Sequence, residues 1–541
     1  MGVLATNTML GSSYFPAVLV MLIVIYVVVQ RLGSKWTPSS LSLPPGPSPW
    51  PVVGSLPKLK LNNPAFRWIH QVMEQMGSDI ACFHLGGVHV IPITCPRIAR
   101  EVLKKHDEIF ASRPVTFASC VVGGGYMEAV LSPFGAQSIK MRRVLTSVIV
   151  STSCHKWLHD KRAEEADNFT LYMYNITGGD GGNIDIRHLS RHYCGNVIHR
   201  LLFGSRYFGE AGDGGGPRKL EMEHIDASFA MLGILFSFCV SGYLPWLLGL
   251  DLDGHEKIVK EANTALDRLH DKVIDERWRQ WKASERGEVD DFLDVLITHK
   301  DPMLSKEEVK AQAKVRSTSL EKSLDSLKWM YLALKAINLA AVDNPSNAAE
   351  WALAEMVKSP ELLALATEEL DRVVGRDRQV QESDLLQLNY VKACVREAFR
   401  LHPIAPFNVP HVALADTILA GYRVPKGSHV LLSRVGLGRN PATWEEPLRF
   451  KPERHMGGNV QLTENDLRFI SFSTGRRGCV GTVLGTAMSV MLLGRLLHGF
   501  TWTKPAEVPN IQLTESEHDL SMSKPLVLHA KPRLPLHLYR P

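Results

Sequence analysis

No Cys-x-x-Cys pair and no cysteine–histidine cluster at zinc spacing occurs in this chain. Its eight cysteines, at 82, 95, 120, 154, 194, 239, 394 and 479, fall at irregular intervals. A structural zinc site and a disulfide framework are both disfavoured, and the scatter fits a reducing compartment. Neither sign of charge dominates: 61 Lys and Arg face 56 Asp and Glu, a net charge of +5. Composition therefore carries no nucleic-acid signal. No internal repeat is present. Charge is missing altogether from residues 1–30.

That uncharged stretch is almost continuously apolar from Phe15 to Val29, and Arg31 and Lys35 follow at once. About 20 residues span a bilayer as a helix. The charges follow the apolar run rather than precede it, unlike a cleaved signal peptide. Positive charge on this flank holds that side in the cytosol. Residues 1–31 are therefore expected to form a single-pass anchor with the remaining chain cytosolic. Residues 32–58 contain Leu43-Pro44-Pro45-Gly46-Pro47-Ser-Pro49-Trp50-Pro51. Proline fixes φ, so this reads as a semi-rigid hinge.

Beyond the hinge no long Pro/Gly/Ser linker divides the chain, so 59–541 reads as one large domain. Helical periodicity dominates near 64–76, 96–106, 155–176, 220–240, 255–283, 345–373, 384–401 and 482–498. Short β-like runs lie near 79–84, 88–93, 418–423 and 429–432. The expected class is mainly α with a minor β portion. Residues 449–475 are loop-rich.

Ahead of the last long apolar run stands Phe472-Ser-Thr-Gly475-Arg-Arg477-Gly-Cys479-Val-Gly481. Cations and a helix N-terminus both favour a thiolate, the form that binds iron. Glycines permit turns and close approaches that a side chain obstructs. A lone cysteine reads first as a small buried hydrophobe; the ten-residue pattern reverses that. It resembles the haem-binding loop of the cytochrome P-450 monooxygenases. The resemblance implies their haem-thiolate fold, haem b as cofactor, Cys479 as axial ligand to its iron, and Phe472 and Gly475 as further cofactor contacts.

Three further motifs follow in the order the resemblance requires. In Asn389–Leu401, Glu397 and Arg400 stand three apart on a helix apolar around most of its circumference. A pair there is buried and needs full compensation. Arg454, in Phe450-Lys-Pro452-Glu453-Arg454-His455, completes a Glu-Arg-Arg brace for the Cys479 loop. The second is Leu339-Ala340-Ala-Val-Asp343-Asn344-Pro345-Ser-Asn347. Most relatives carry an acid followed by Thr there, and Asp343 and Asn344 are the corresponding proton-relay candidates. Pro345 either kinks a helix or sits in a helix's first turn with Asp343 or Asn344 as cap; the sequence allows both. The third is Pro133–Arg143, where the family's Trp-x-x-x-Arg reads Ser138 and Arg142. Arg142, His411 and Arg477 are the expected propionate partners.

Details such as Asp343-Asn-Pro-Ser-Asn, Pro406-Phe407-Asn408-Val409-Pro410-His411 and Phe450-x-Pro452-Glu-Arg-His455 resemble the plant amino-acid N-monooxygenases that form aldoximes. Ile258–Asn263 and Gly421–Val430 resemble tyrosine-using members. The resemblance implies two N-hydroxylations of a free amino acid, tyrosine or phenylalanine, with O2 and electrons from NADPH through an NADPH-cytochrome reductase at the endoplasmic reticulum membrane. Exposed members of Lys140, Arg142, Arg143 and Arg476 would attract that acidic partner. Substrate contacts are expected from Ala340, Phe407 and Asn408. Residues 315–336 have no counterpart in these enzymes and read as an atypical insert. Two alternatives stand beside this reading: a haem-thiolate C-hydroxylase, and a haem-binding inactive product because of the insert.

Overall fold

The computed structural model describes residues 41–206, 219–235, 237–298, 321–516 and 520–539. The expected anchor, the first part of the hinge and residues 315–320 lie outside the described residues. The described hinge is fastened to the body: Cys82 N donates to Pro45 O at 2.8 Å, and Arg423 N to Ser42 O at 2.9 Å. A Cβ on Gly46 would fall 1.8 Å from Cys82 O. This stretch is thus docked rather than a free spacer.

Helices build most of the molecule. Those that frame the site are α1 (Ala136–Val144), α2 (Ile186–Phe203), α3 (Lys219–Leu235), α4 (His255–Lys282), α5 (Glu321–Lys358), α6 (Asn389–Leu401) and α7 (Thr482–Gly499). Helix α5 packs along α2, α6 and α7. Trp351, Leu353, Cys394, Leu492 and Leu496 fill the shared core. Helix α7 is apolar and long enough to cross a membrane, yet it is mostly buried in this core.

Among the described residues, nine strands form three small sheets: β1 (Phe83–Leu85), β2 (Val88–Ile93), β3 (Gly182–Asp185), β4 (His411–Val412), β5 (Thr417–Leu419), β6 (Tyr422–Val424), β7 (His429–Leu432), β8 (Phe500–Thr503) and β9 (Val527–Pro532). The largest has the order β1-β2-β7-β4. Strands β2 and β7 are parallel, with Val90 opposite His429 and Ile93 opposite Leu432. Strand β9 lies between β3 and β8.

The run expected over 345–373 is two helices, α5 and a following Pro360–Val373 helix, parted at Ser359. Proline at the second helix's first position favours a new start over continuation. Of the two alternatives for Pro345, the structure has it inside α5. Ser346 Oγ donates to Val342 O and Asn344 Nδ2 to Ala340 O, so side chains engage carbonyls around the interruption. Described residues 321–336 of the insert are helical and continuous with α5.

Candidate active site

The Cys479 loop is a tight turn closed on itself. Cys479 N donates to Phe472 O at 2.8 Å and Gly478 N to Gly475 O at 3.0 Å. Gly475 has φ +76°, and a Cβ there would lie 2.5 Å from Asp107 Oδ1. Phe472 meets Phe399 edge-on at 5.8 Å. Among the cysteines, Cys479 alone is exposed. Open space adjoins its sulfur, while the protein around the loop still withholds water and pushes the thiol's pKa up. The Gly481 N–H, then Arg142 and Arg434, oppose that rise.

Four cationic or potentially cationic side chains converge beside this loop. Arg142, from α1, donates to Gly478 O. Arg477 donates to Ala111 O at 2.6 Å, Ala129 O at 3.1 Å and Ser132 O at 2.7 Å. Arg113, which the sequence reading missed, donates to Val409 O at 2.8 Å and Pro410 O at 2.9 Å. His411 Nδ1 pairs with Phe110 O at 2.6 Å, while its buried Nε2 has no partner. Burial, then the neighbouring arginines, lowers Arg113 to about 9. Burial and Arg113 lower His411 to about 3. Burial lowers Arg477 to about 10, against the pull of Glu128. Glu128 itself accepts from the Val130 and Leu131 amides. A buried cation cluster with one carboxylate and an orphaned ring nitrogen fits an anionic partner. The two propionates of haem, beside an exposed thiol in a glycine cradle, satisfy that demand. Ser138 does not join this cluster: its Oγ caps α1, accepting from Gly135 N at 3.0 Å and donating to Gly135 O at 2.9 Å.

Glu397, Arg400 and Arg454 do come together. Arg400 grips both oxygens of Glu397 at 2.8 and 2.7 Å. Arg454 Nε reaches Glu397 Oε1 at 3.0 Å. His455 Nε2, a fourth member missed in the sequence, lies 2.7 Å from Glu397 Oε2. Burial alone would raise the Glu397 pKa; the bonds from Arg400 and His455 outweigh it and bring it to about 2. Arg400 also donates to Gly438 O and Pro447 O, and Arg454 to Glu445 O. These bonds fasten the segment 438–455; none runs straight to the Cys479 loop.

A cavity of about 760 Å³ lies alongside α5. Ala340, Asp343 and Asn344 line it from α5, and Phe407, Asn408 and Arg434 from the opposite wall. Phe407 stacks on His70 at 5.3 Å. Asn408 bridges Ser473 Oγ and Arg434 Nη2, each at 3.4 Å. Arg434 was not anticipated. Burial lowers it to about 10, with Cys479 as the compensating charge. On the surface, Arg476 pairs with Asp107 at 3.0 Å, so it is not a free cation.

Residues 44–529 match the cytochrome P450 family model. The chain is 66% identical over 507 residues to a tyrosine N-monooxygenase of Sorghum bicolor, covering 92% of this chain and 87% of that one. It is 50% identical to tryptophan N-monooxygenase 1 of Arabidopsis thaliana, covering 96% and 93%. It is 48% identical to valine N-monooxygenase 1 of Manihot esculenta, covering 99% and 98%. With a glycine-cradled thiol, a demand for buried anions and a family match over most of its length, the chain belongs to the cytochrome P450 family.

Proposed function

We propose that this protein is a membrane-anchored monooxygenase that N-hydroxylates an L-amino acid twice and yields an aldoxime, with tyrosine as its first substrate. The observation that carries the reading is the 66% identity to a tyrosine N-monooxygenase over nearly the whole chain. The cavity beside α5 supports it, because its wall combines apolar Ala340 and Phe407 with polar Asp343, Asn344 and Asn408. Such mixed walls orient a small ligand that has an apolar body and a polar end.

Haem supplies, when bound, a thiolate-held iron that activates O2. Cys479 would hold that iron, and Arg142, Arg113, His411 and Arg477 would meet the propionates. Asp343 would hold and pass a proton at its carboxylate, and Asn344 would orient the relay by hydrogen bonding through its amide, since both line the cavity. Ala340 and Phe407 hold the side chain of the amino acid and exclude water from it. Glu397, Arg400 and Arg454 act on the site indirectly, by fixing the segment 438–455. Electrons come from NADPH through a membrane-bound reductase.

The expected location is the endoplasmic reticulum membrane, with the catalytic body cytosolic. The apolar, uncharged residues 1–30 support that address. So do Trp246, Leu248, Leu250 and Leu252, which leave large apolar side chains exposed on one short segment. The test is oxime formation by the full-length, haem-containing protein with a reductase and NADPH, across a panel of free amino acids. Tyrosine is expected to give the highest kcat/KM. Oxime from none of the amino acids, with a normal thiolate-type carbon-monoxide spectrum, overturns the reading.

A further inference from the structure

Resting on that reading, we infer that Arg191 is the residue that recognises the substrate's α-carboxylate. Arg191 projects from α2, lines the cavity, and belongs to none of the sequence motifs. Its guanidinium carbon lies 3.5 Å from the centre of the Phe229 ring on α3. Stacking of this kind fixes the plane of the group and satisfies its face, but leaves the N–H edge to find acceptors.

The described residues do not supply those acceptors. Among the described residues, no side-chain hydrogen bond or ion pair involves Arg191. The carboxylates whose charge reaches it are Asp343, Glu350 and Asp226. Glu350 is committed elsewhere, accepting from Arg187 Nε at 2.9 Å and Leu526 N at 3.0 Å. The other arginines of the cavity face the cysteine loop. Arg113 is bound to backbone carbonyls within the cation cluster. Arg434 reaches Asn408 at 3.4 Å, keeps a buried Nε without a partner, and has Cys479 as its compensating charge. Arg191 is the cavity guanidinium on α2, with its plane fixed by a ring and an edge unclaimed by the described residues.

A carboxylate is the ligand group that matches such an edge, because two parallel N–H···O bonds fit its geometry. Asp343 lines the same cavity and is close enough to influence Arg191 electrostatically. Free amino acids carry such a ligand carboxylate. Amines, esters and most apolar molecules lack it. Arg191 therefore accounts for selection of the free acid, while the remaining cavity wall sorts side chains.

The test is equilibrium binding to the full-length, haem-containing protein, read by spectral titration and by calorimetry. The probes are tyrosine, tyrosine methyl ester and tyramine. For Arg191→Gln the dissociation constant for tyrosine is expected to rise about 10- to 100-fold, the range of a charge-assisted bond. That for the ester should change less than about twofold, within surface-substitution scatter. Arg191→Lys should recover part of the tyrosine affinity, because it keeps charge but loses the planar fork. Equal weakening for acid and ester means a merely structural role and overturns the inference. So does unchanged tyrosine binding. Failure of the unaltered protein to bind any free amino acid instead removes the functional reading itself, and this inference with it.

Discussion

Glu397 shows how much one side chain can be asked to neutralise. It is fully buried and faces two arginines and a histidine. Removing one partner from a buried ion network leaves charge uncompensated, at roughly 3–5 kcal/mol. Glu397→Gln preserves volume and loses the charge, so a urea titration at neutral pH should show a loss of that size. The pH dependence has a definite sign. The folded-state pKa of about 2 lies below the ordinary 4.5. Its contribution is complete above about pH 4.5 and disappears as pH falls toward 2. The unaltered protein and Glu397→Gln should therefore converge in stability across that window. A constant gap down to pH 2 would show that the carboxylate's charge is not what stabilises the segment 438–455. The Glu397–Arg400 pairing was legible because a helix spaced them three apart on an apolar background. His455 was not, since a 3-10 turn over Pro452–His455 swings it in beside Arg454.

Among the elements, α5 sets the geometry of the cavity. Its exposed residues Ala340 and Asn344 stand on one face four apart, one turn of helix. Residues 321–336 extend the same helix upstream of Ala340, Asp343 and Asn344, the described α5 residues that line the cavity. Deleting 315–336 should therefore leave the cysteine loop and the cavity wall intact. The shortened protein is expected to give the same thiolate-type carbon-monoxide spectrum and to form oxime at no less than the full chain's rate. Loss of the spectrum would mean that the added turns are integral to the fold. Periodicity revealed α4 and α7 almost to the residue, but it failed for α2. That helix is buried along nearly its whole length and carries His192, Asn196 and His199 inside. An element surrounded by protein has no polar face to produce a 3.6-residue rhythm. The sheet of β3, β8 and β9 was missed for a different reason. Its strands are four to six residues long and come from distant parts of the chain. Arg191 was hidden with α2, and Arg113 and Arg434 sit in no repeating pattern.

Taken as one molecule, the protein carries modest net charge, yet it concentrates cations in its interior. Arg113, Arg142, Arg477 and His411 meet near the cysteine loop; Glu128 counters Arg113 and Arg477, while Cys479 and Asp107 counter Arg142. Each lowered pKa, due first to burial, marks a group held in a less favourable setting than water. An anionic cofactor bound there relieves part of that cost, so stability and cofactor binding are linked. Glu128→Gln separates the contributions. The amide loses the negative charge and keeps one acceptor oxygen, so one of the Val130 and Leu131 N–H groups loses its partner in either form. Without haem, Glu128 is the cluster's main neutraliser, and its loss should cost roughly 1–3 kcal/mol. With haem bound, the propionates share that task, and the cost should be smaller. Urea denaturation of the cofactor-free and cofactor-loaded forms, each with and without the substitution, measures the difference directly. A cost equal in both forms would mean that Glu128 acts through its backbone hydrogen bonds alone, and that the cation cluster is not balanced by the cofactor.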